Sequence, residues 1–201
     1  MKRYLVRISL ALALATAWGC GPKIPSYDYA QEPDPRKSEY VLGISDELEV
    51  NVWKNPDLSA RMVIRPDGTV TMPLIGDMRA AGKTPSQLKS EIEKRVQDFV
   101  KLEGTAVTVS VTAINSYRFT VSGEVVRPGV FQATHYTTIS EAIALAGGFT
   151  RFAKRNQIVI QRRAPKTGEV RDIPIAYGLI ANGKRPEMNL VLLAGDSVHV
   201  P

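Results

Sequence analysis

Residues 119–148 read FTVSGEVVRPGVFQATHYTTISEAIALAGG, the pattern of a strand, a turn, a second strand and a capped helix. Phe119 and Val121 alternate with Thr120 and Ser122, as one half-buried strand face requires, and Arg127-Pro128-Gly129 supplies turn chemistry. Thr138 stands three residues before Glu141, the spacing at which hydroxyl and carboxylate satisfy each other's orphan backbone N–H groups at a helix start. Gly147 and Gly148 close the helix, because glycine takes the left-handed cap without steric cost. Nothing in the unit is a nucleophile or a paired acid and base, so it reads as a packing or binding module.

Outward from this unit, the chain towards its C-terminus predicts short strands at Ile158–Ile160 and Val170–Ile175 about a Thr167-Gly168 turn. One helical turn over Ala176–Asn182 follows, then two strands, Leu190–Leu193 and Ser197–Val200, about Gly195-Asp196. Towards the N-terminus, Leu48, Val50 and Val52 alternate with Glu47, Glu49 and Asn51, a strand with one wet face. Met62–Ile64 predicts another strand. Arg65-Pro66-Asp67-Gly68 is the strongest hairpin signal, expected to return the chain along Val70 to Ile75. Thr84, Pro85 and Gln87 open the longest helix, with Leu88, Ile92, Val96, Phe99 and Val100 on one stripe and Gly104 ending it; Val107, Val109 and Val111 form the next strand. Each half thus shows strands about a turn followed by a helix, and the fold class expected is α+β. A boundary falls near Ile114-Asn115.

The 201 residues are 44% hydrophobic and 23% charged, enough for one good core or two small ones. The formal charge of +6 falls to +3 once Lys2, Arg3 and Arg7 are set aside with the N-terminal leader, leaving 23 Lys and Arg against 20 Asp and Glu. That charge is too small and scattered for a phosphate-tracking groove, so no nucleic-acid partner is expected; Arg162-Arg163 reads as solvated face.

Residues 1–19 predict a signal peptide: three positive charges in Met1–Arg7, then the apolar run Ile8–Ala17, too short to span a bilayer comfortably. Cys20, the only cysteine, sits where cleavage should fall and resembles the acylated cysteine of a bacterial lipobox. Ala17 in place of the usual leucine, and bulky Trp18, keep ordinary secretory cleavage nearby as the alternative. Residues 20–38, with prolines at 22, 25, 33 and 35, read as an extended tether.

His135 and His199 have no cysteine or carboxylate at ligand spacing, so neither a metal nor a cofactor is expected. No nucleophile elbow, phosphate loop or dinucleotide fingerprint is present, and no catalytic residue is expected. Asp46, Glu47 and Glu49 could be cast as glycosidase carboxylates, but on an alternating strand Glu47 and Glu49 are its wet face. Asp67 and Asp196 fit tight turns through local hydrogen bonding alone.

The segment YVLGISDELEVNVWKNPDLSARMVIRPDGTVTMPLIGDMRAAGKTPSQL from Tyr40 resembles the export domain of Wza-type polysaccharide export lipoproteins of the outer membrane. The segment VSGEVVRPGVFQATHYTTISEAIALAGGFT, with LLAGDSVHVP, resembles their soluble-ligand-binding β-grasp (SLBB) domain. The resemblance implies an export domain of hairpins with one long amphipathic helix at 39–114 and a β-grasp domain at 115–201. It implies a non-enzymatic ring of identical copies, octameric in the best-known relatives, lipid-anchored at the outer membrane and facing the periplasm, through which capsule or exopolysaccharide passes. It also implies an inner-membrane co-polymerase, often coupled to a tyrosine autokinase, as partner. Wza-type proteins continue into a second β-grasp domain and a C-terminal membrane helix. Since this sequence stops at Pro201, a short form working with a separate outer-membrane pore protein is expected. The competing expectation is a periplasmic lipoprotein that binds a soluble glycan through its β-grasp domain and conducts nothing. Conduit-lining residues are not assigned, because alternation places Glu47, Glu49 and Asn51 on one face without saying what that face looks at.

Overall fold

The computed structural model describes residues 26–99, 107–164 and 167–201, so the leader, Cys20, Val100 and Gly104 lie outside the described residues. Two hydrophobic cores follow one another along the chain. The first is built on a three-stranded antiparallel sheet in the order β2-β1-β5, from β1 (Glu47–Val52), β2 (Ala60–Val63) and β5 (Val107–Ala113). A separate antiparallel pair, β3 (Thr69–Met72) and β4 (Gly76–Arg79), completes the strands of that half. Helix α1 (Pro85–Val96) covers them with Leu88, Ile92 and Val96, all 0% exposed. Burying such side chains contributes about 1.5–3 kcal/mol each before the entropy of ordering them is subtracted.

The expected hairpin about Arg65–Gly68 is a corner between two sheets. Gly68 N–H bonds to Arg65 O at 2.8 Å, so the turn forms, but β2 pairs with β1 while β3 pairs with β4. Turn chemistry sets four residues only. Burial decides the pairing, and Val70, Met72 and Met78 reach the core through the β3–β4 ladder. That ladder is closed at Pro73–Ile75 with Leu74 at φ +63°, a left-handed position where a leucine gives no sequence signal. Helix α1 stops at Val96, earlier than its stripe, and Phe99 points out at 56% exposed.

The second core lies on a five-stranded mixed sheet in the order β7-β6-β10-β8-β9: β6 (Arg118–Gly123), β7 (Gly129–Gln132), β8 (Ile158–Arg163), β9 (Val170–Ile175) and β10 (Ser197–Val200). The first and last strands, β6 and β10, run parallel at its centre and the others are antiparallel, a β-grasp arrangement around helix α2 (Ile139–Leu145). Gly123 sits at φ +85° against β10, where a Cβ would lie 2.0 Å from Val200 O. Leu190–Leu193 makes only the isolated bridge Thr138↔Val191, so the predicted strand there is a loop. The short helix α3 (Tyr177–Ala181) follows β9. Pro174, which lacks an N–H, fits β9 because β9 is an outer strand; β7, the other outer strand, has β6 as its one ladder partner.

Residues 26–38 are not extended. Two 3-10 turns, Tyr29–Gln31 and Pro35–Lys37, capped by Asp28 and Asp34, fold them into a strap on the second domain, where Tyr29 is 5% exposed within the core. Proline content predicted the tether. The tyrosines decide otherwise, since each buries a large apolar ring.

Candidate functional site

Where the two cores meet, Asp46 is the organising residue. It precedes β1, is 0% exposed, and its carboxylate accepts five hydrogen bonds. Oδ1 takes the backbone N–H groups of Asn115 and Ser116, both at 2.8 Å; Oδ2 takes Gly43 N–H at 2.8 Å, Tyr40 O–H at 2.7 Å and Ser116 Oγ–H at 2.9 Å. Gly43 is needed there, because a Cβ would sit 2.2 Å from Ser116 Oγ. The segment joining the cores is thus tied to the start of the first sheet by one buried carboxylate. Asp46, Glu47 and Glu49 stand as near neighbours in the sequence, as a pair of acids would need. The structure separates them: Glu47 is exposed and Glu49 forms an ion pair with Arg61 at 3.2 Å.

Beside this junction opens a cleft of about 140 Å³ lined by Tyr40, Ile114, Tyr117, Thr134, His135 and Tyr136. Tyr117 meets Tyr136 edge to face, with ring centroids 5.6 Å apart. Burial raises the phenol pKa of Tyr40, Tyr117 and Tyr136, so all three stay neutral donors at physiological pH. The Tyr40 hydroxyl is committed to Asp46, while Tyr117 donates to Leu192 O at 3.0 Å and accepts from Thr137 N–H at 3.0 Å. The cleft is therefore an almost wholly apolar aromatic surface, suited to stacking and without a nucleophile poised by a base.

A second buried constellation ties the strap down. Arg162, expected on a solvated face, is 2% exposed and gives Nη2 to Asp196 at 2.6 Å and Nη1 to Glu32 at 2.8 Å. Asp196 is likewise 2% exposed, so its role extends beyond its own turn: besides Leu193 N–H it balances this guanidinium. Arg171 adds a bond to Glu32 at 2.9 Å. Burial opposes the charge of Arg162, but the two carboxylates outweigh it and hold its pKa above the ordinary value. Tyr27 is pushed up to about 12 by burial first and by its hydrogen bond to Glu32 second. Spacing could not have revealed this cluster, since its members stand 34 and 130 residues from Arg162.

Among the described residues no group of three or more His, Cys, Asp or Glu side chains could hold a metal ion. Both histidines are exposed, and His199 Nδ1 lies 3.2 Å from Ser122 Oγ. Among the same residues no helix is long and apolar enough to cross a membrane.

Residues 34–112 match the polysaccharide biosynthesis/export protein family and residues 118–174 match the SLBB domain. The two matches follow one another along the chain, the export type first and the SLBB type second. Among curated relatives, the exopolysaccharide production protein ExoF of Rhizobium meliloti is 31% identical over 58% of this chain and 30% of its own length. The EPS I polysaccharide export outer membrane protein EpsA of Ralstonia nicotianae is 28% identical over 82% of this chain and 48% of its own. The capsule polysaccharide export outer membrane protein CtrA of Neisseria meningitidis serogroup A is 28% identical over 85% and 46%. The chain spans less than half the length of these relatives.

Proposed function

We propose that the protein is a non-catalytic component of a conduit that exports capsule or exopolysaccharide. The observation that carries this reading is the match in order of both domains to proteins named for polysaccharide export, across four fifths or more of this chain in two of them. In this reading the export domain (39–114) and the β-grasp domain (115–201) are repeated around an axis in a homo-oligomeric ring. One heterologous contact, copied, closes such a ring. Cys20 is acylated and anchors the ring to the outer membrane on its periplasmic side, and an inner-membrane co-polymerase supplies the chain. Deleting the gene is the decisive experiment: loss of surface polysaccharide with intracellular accumulation is expected, and unchanged surface polysaccharide would sink the proposal.

The aromatic cleft supports a second reading, a periplasmic lipoprotein that binds a soluble glycan without conducting anything. Saturable glycan binding by a monomer, lost on Tyr136→Ala, with surface polysaccharide intact in the deletion strain, would select it.

A further inference from the structure

One end of the β-grasp domain carries an apolar patch ringed by cations. Phe152 is 67% exposed, Val126 58% and Leu145 43%. The loops that bear them are stitched together: Val126 N–H donates to Gly148 O at 3.0 Å, Thr150 N–H to Glu124 O at 3.1 Å, and Arg127 Nη2 to Leu145 O at 3.1 Å. Arg127, Arg151, Lys154 and Arg155 surround them, all exposed. The Arg151 guanidinium lies 4.7 Å from the Phe152 ring centre and that of Arg155 5.2 Å from Phe149. Glu124, the carboxylate of these loops, is engaged by the Thr150 hydroxyl.

The strap brings Ser26, the first described residue, towards the same end. Ser26 shares a groove with Arg185, whose N–H donates to Leu179 O in α3. Helix α3 is docked on the cationic loop through Tyr177 N–H to Arg155 O at 2.9 Å and Gly178 N–H to Asn156 Oδ1 at 2.8 Å. From Ser26 to Cys20 the chain reaches at most about 22 Å, six peptide steps fully extended.

We propose that this end of the β-grasp domain rests on an anionic lipid surface, with Phe152 and Val126 entering the headgroup boundary and Arg127, Arg151, Lys154 and Arg155 meeting phosphates. An exposed aromatic ring among cations has the amphipathic character that favours a membrane–water interface. A surface contact of this kind adds a second signal to acylation and orients the body that the lipid only tethers. The nearness of the membrane rests on the reading of Cys20 as acylated; the chemistry of the patch does not.

The test uses the mature chain, residues 20–201, purified without acyl groups; among the described residues both cores are made of residues 27–200, and all of these are kept. It is sedimented with phosphatidylethanolamine–phosphatidylglycerol vesicles and with neutral phosphatidylcholine vesicles. Binding is expected to the anionic vesicles alone. The triple substitution Arg151→Ser, Lys154→Ser, Arg155→Ser should lower partitioning on the order of 100-fold, about fivefold per cation. Phe152→Ser should lower it on the order of tenfold. Equal binding to both vesicle types, no binding, or binding indifferent to Phe152→Ser overturns the proposal. So does a Phe152→Ser variant that loses its oligomer on a sizing column while vesicle binding stands, which would make the patch a contact between copies. Mass spectrometry of Cys20 from cell membranes tests the anchor separately: an unmodified thiol removes the anchor and leaves the vesicle result to decide the patch.

Discussion

Asp46 shows what a single residue can decide. Its carboxylate satisfies three backbone N–H groups and two hydroxyls from both sides of the junction, and no water is needed to complete the set. Asp46→Ala leaves those donors buried and unpaired, and a loss of about 3–5 kcal/mol is expected in urea unfolding; a midpoint within error of the parent would refute the role. Little of this was legible in the sequence. Arg162 reads as solvated face and Asp196 as a turn residue, because they pair across 34 residues and Arg162 reaches Glu32 across 130; Asp46 reads at most as an acid, since Ser116 on the far side of the junction is 70 residues away. Charged residues are rarely buried, and when they are, the compensation is three-dimensional. The aromatic cleft was hidden for the same reason, since Tyr40 and Tyr136 meet only across the junction.

Elements were far more legible, where local chemistry alone decides them. Both capping boxes stand as read, Thr84 with Gln87 and Thr138 with Glu141, because each is complete within four residues. The Thr138 N–H and hydroxyl, donating to Glu141, hold its carboxyl below its ordinary value of 4.5. The sign follows: the contribution to stability is full above that ordinary value and is lost as pH falls through the lower folded value. Glu141→Gln should therefore flatten the acid side of a stability–pH curve, and an unchanged slope would count against the box. Thr138→Ala should cost about 1 kcal/mol in the same assay. Gly123→Ala sets a methyl against the Val200 carbonyl at a positive φ. It should cost several times the roughly 1 kcal/mol of an ordinary glycine replacement and lower the melting temperature sharply, because β6 and β10 must part. Strand pairing was less legible than strand position. The Arg65–Gly68 turn was placed correctly and its partners were not, since pairing depends on which apolar residues find the core.

At the scale of the whole molecule, Asp46 bonds across the junction between the two cores, so Asp46→Ala should also change how they melt. A single calorimetric transition in the parent is expected to split into two in the variant; one sharp transition in both would show that other contacts couple the halves. The order of the domains was readable because each carries its own punctuation of turns, caps and glycines. The strap was not, because its prolines suggested a chain held away from the body that Tyr29 and Glu32 hold close.

The two outer strands of the β-grasp sheet differ in a way that limits how copies can associate. Strand β9 carries Pro174, with no N–H to offer, and the strap's Tyr29 hydroxyl already occupies its carbonyl. Strand β7 bears neither proline nor charge along Gly129–Gln132, with Val130 68% exposed. A sheet with one receptive side can be continued by a copy of itself only through a twofold pairing of like with like, and such a pairing terminates after two. A seam of β7 against β7 therefore cannot close a circular array of more than two chains, which must use other surfaces or set β7 against an outer strand, β2 or β5, of a neighbour's first sheet.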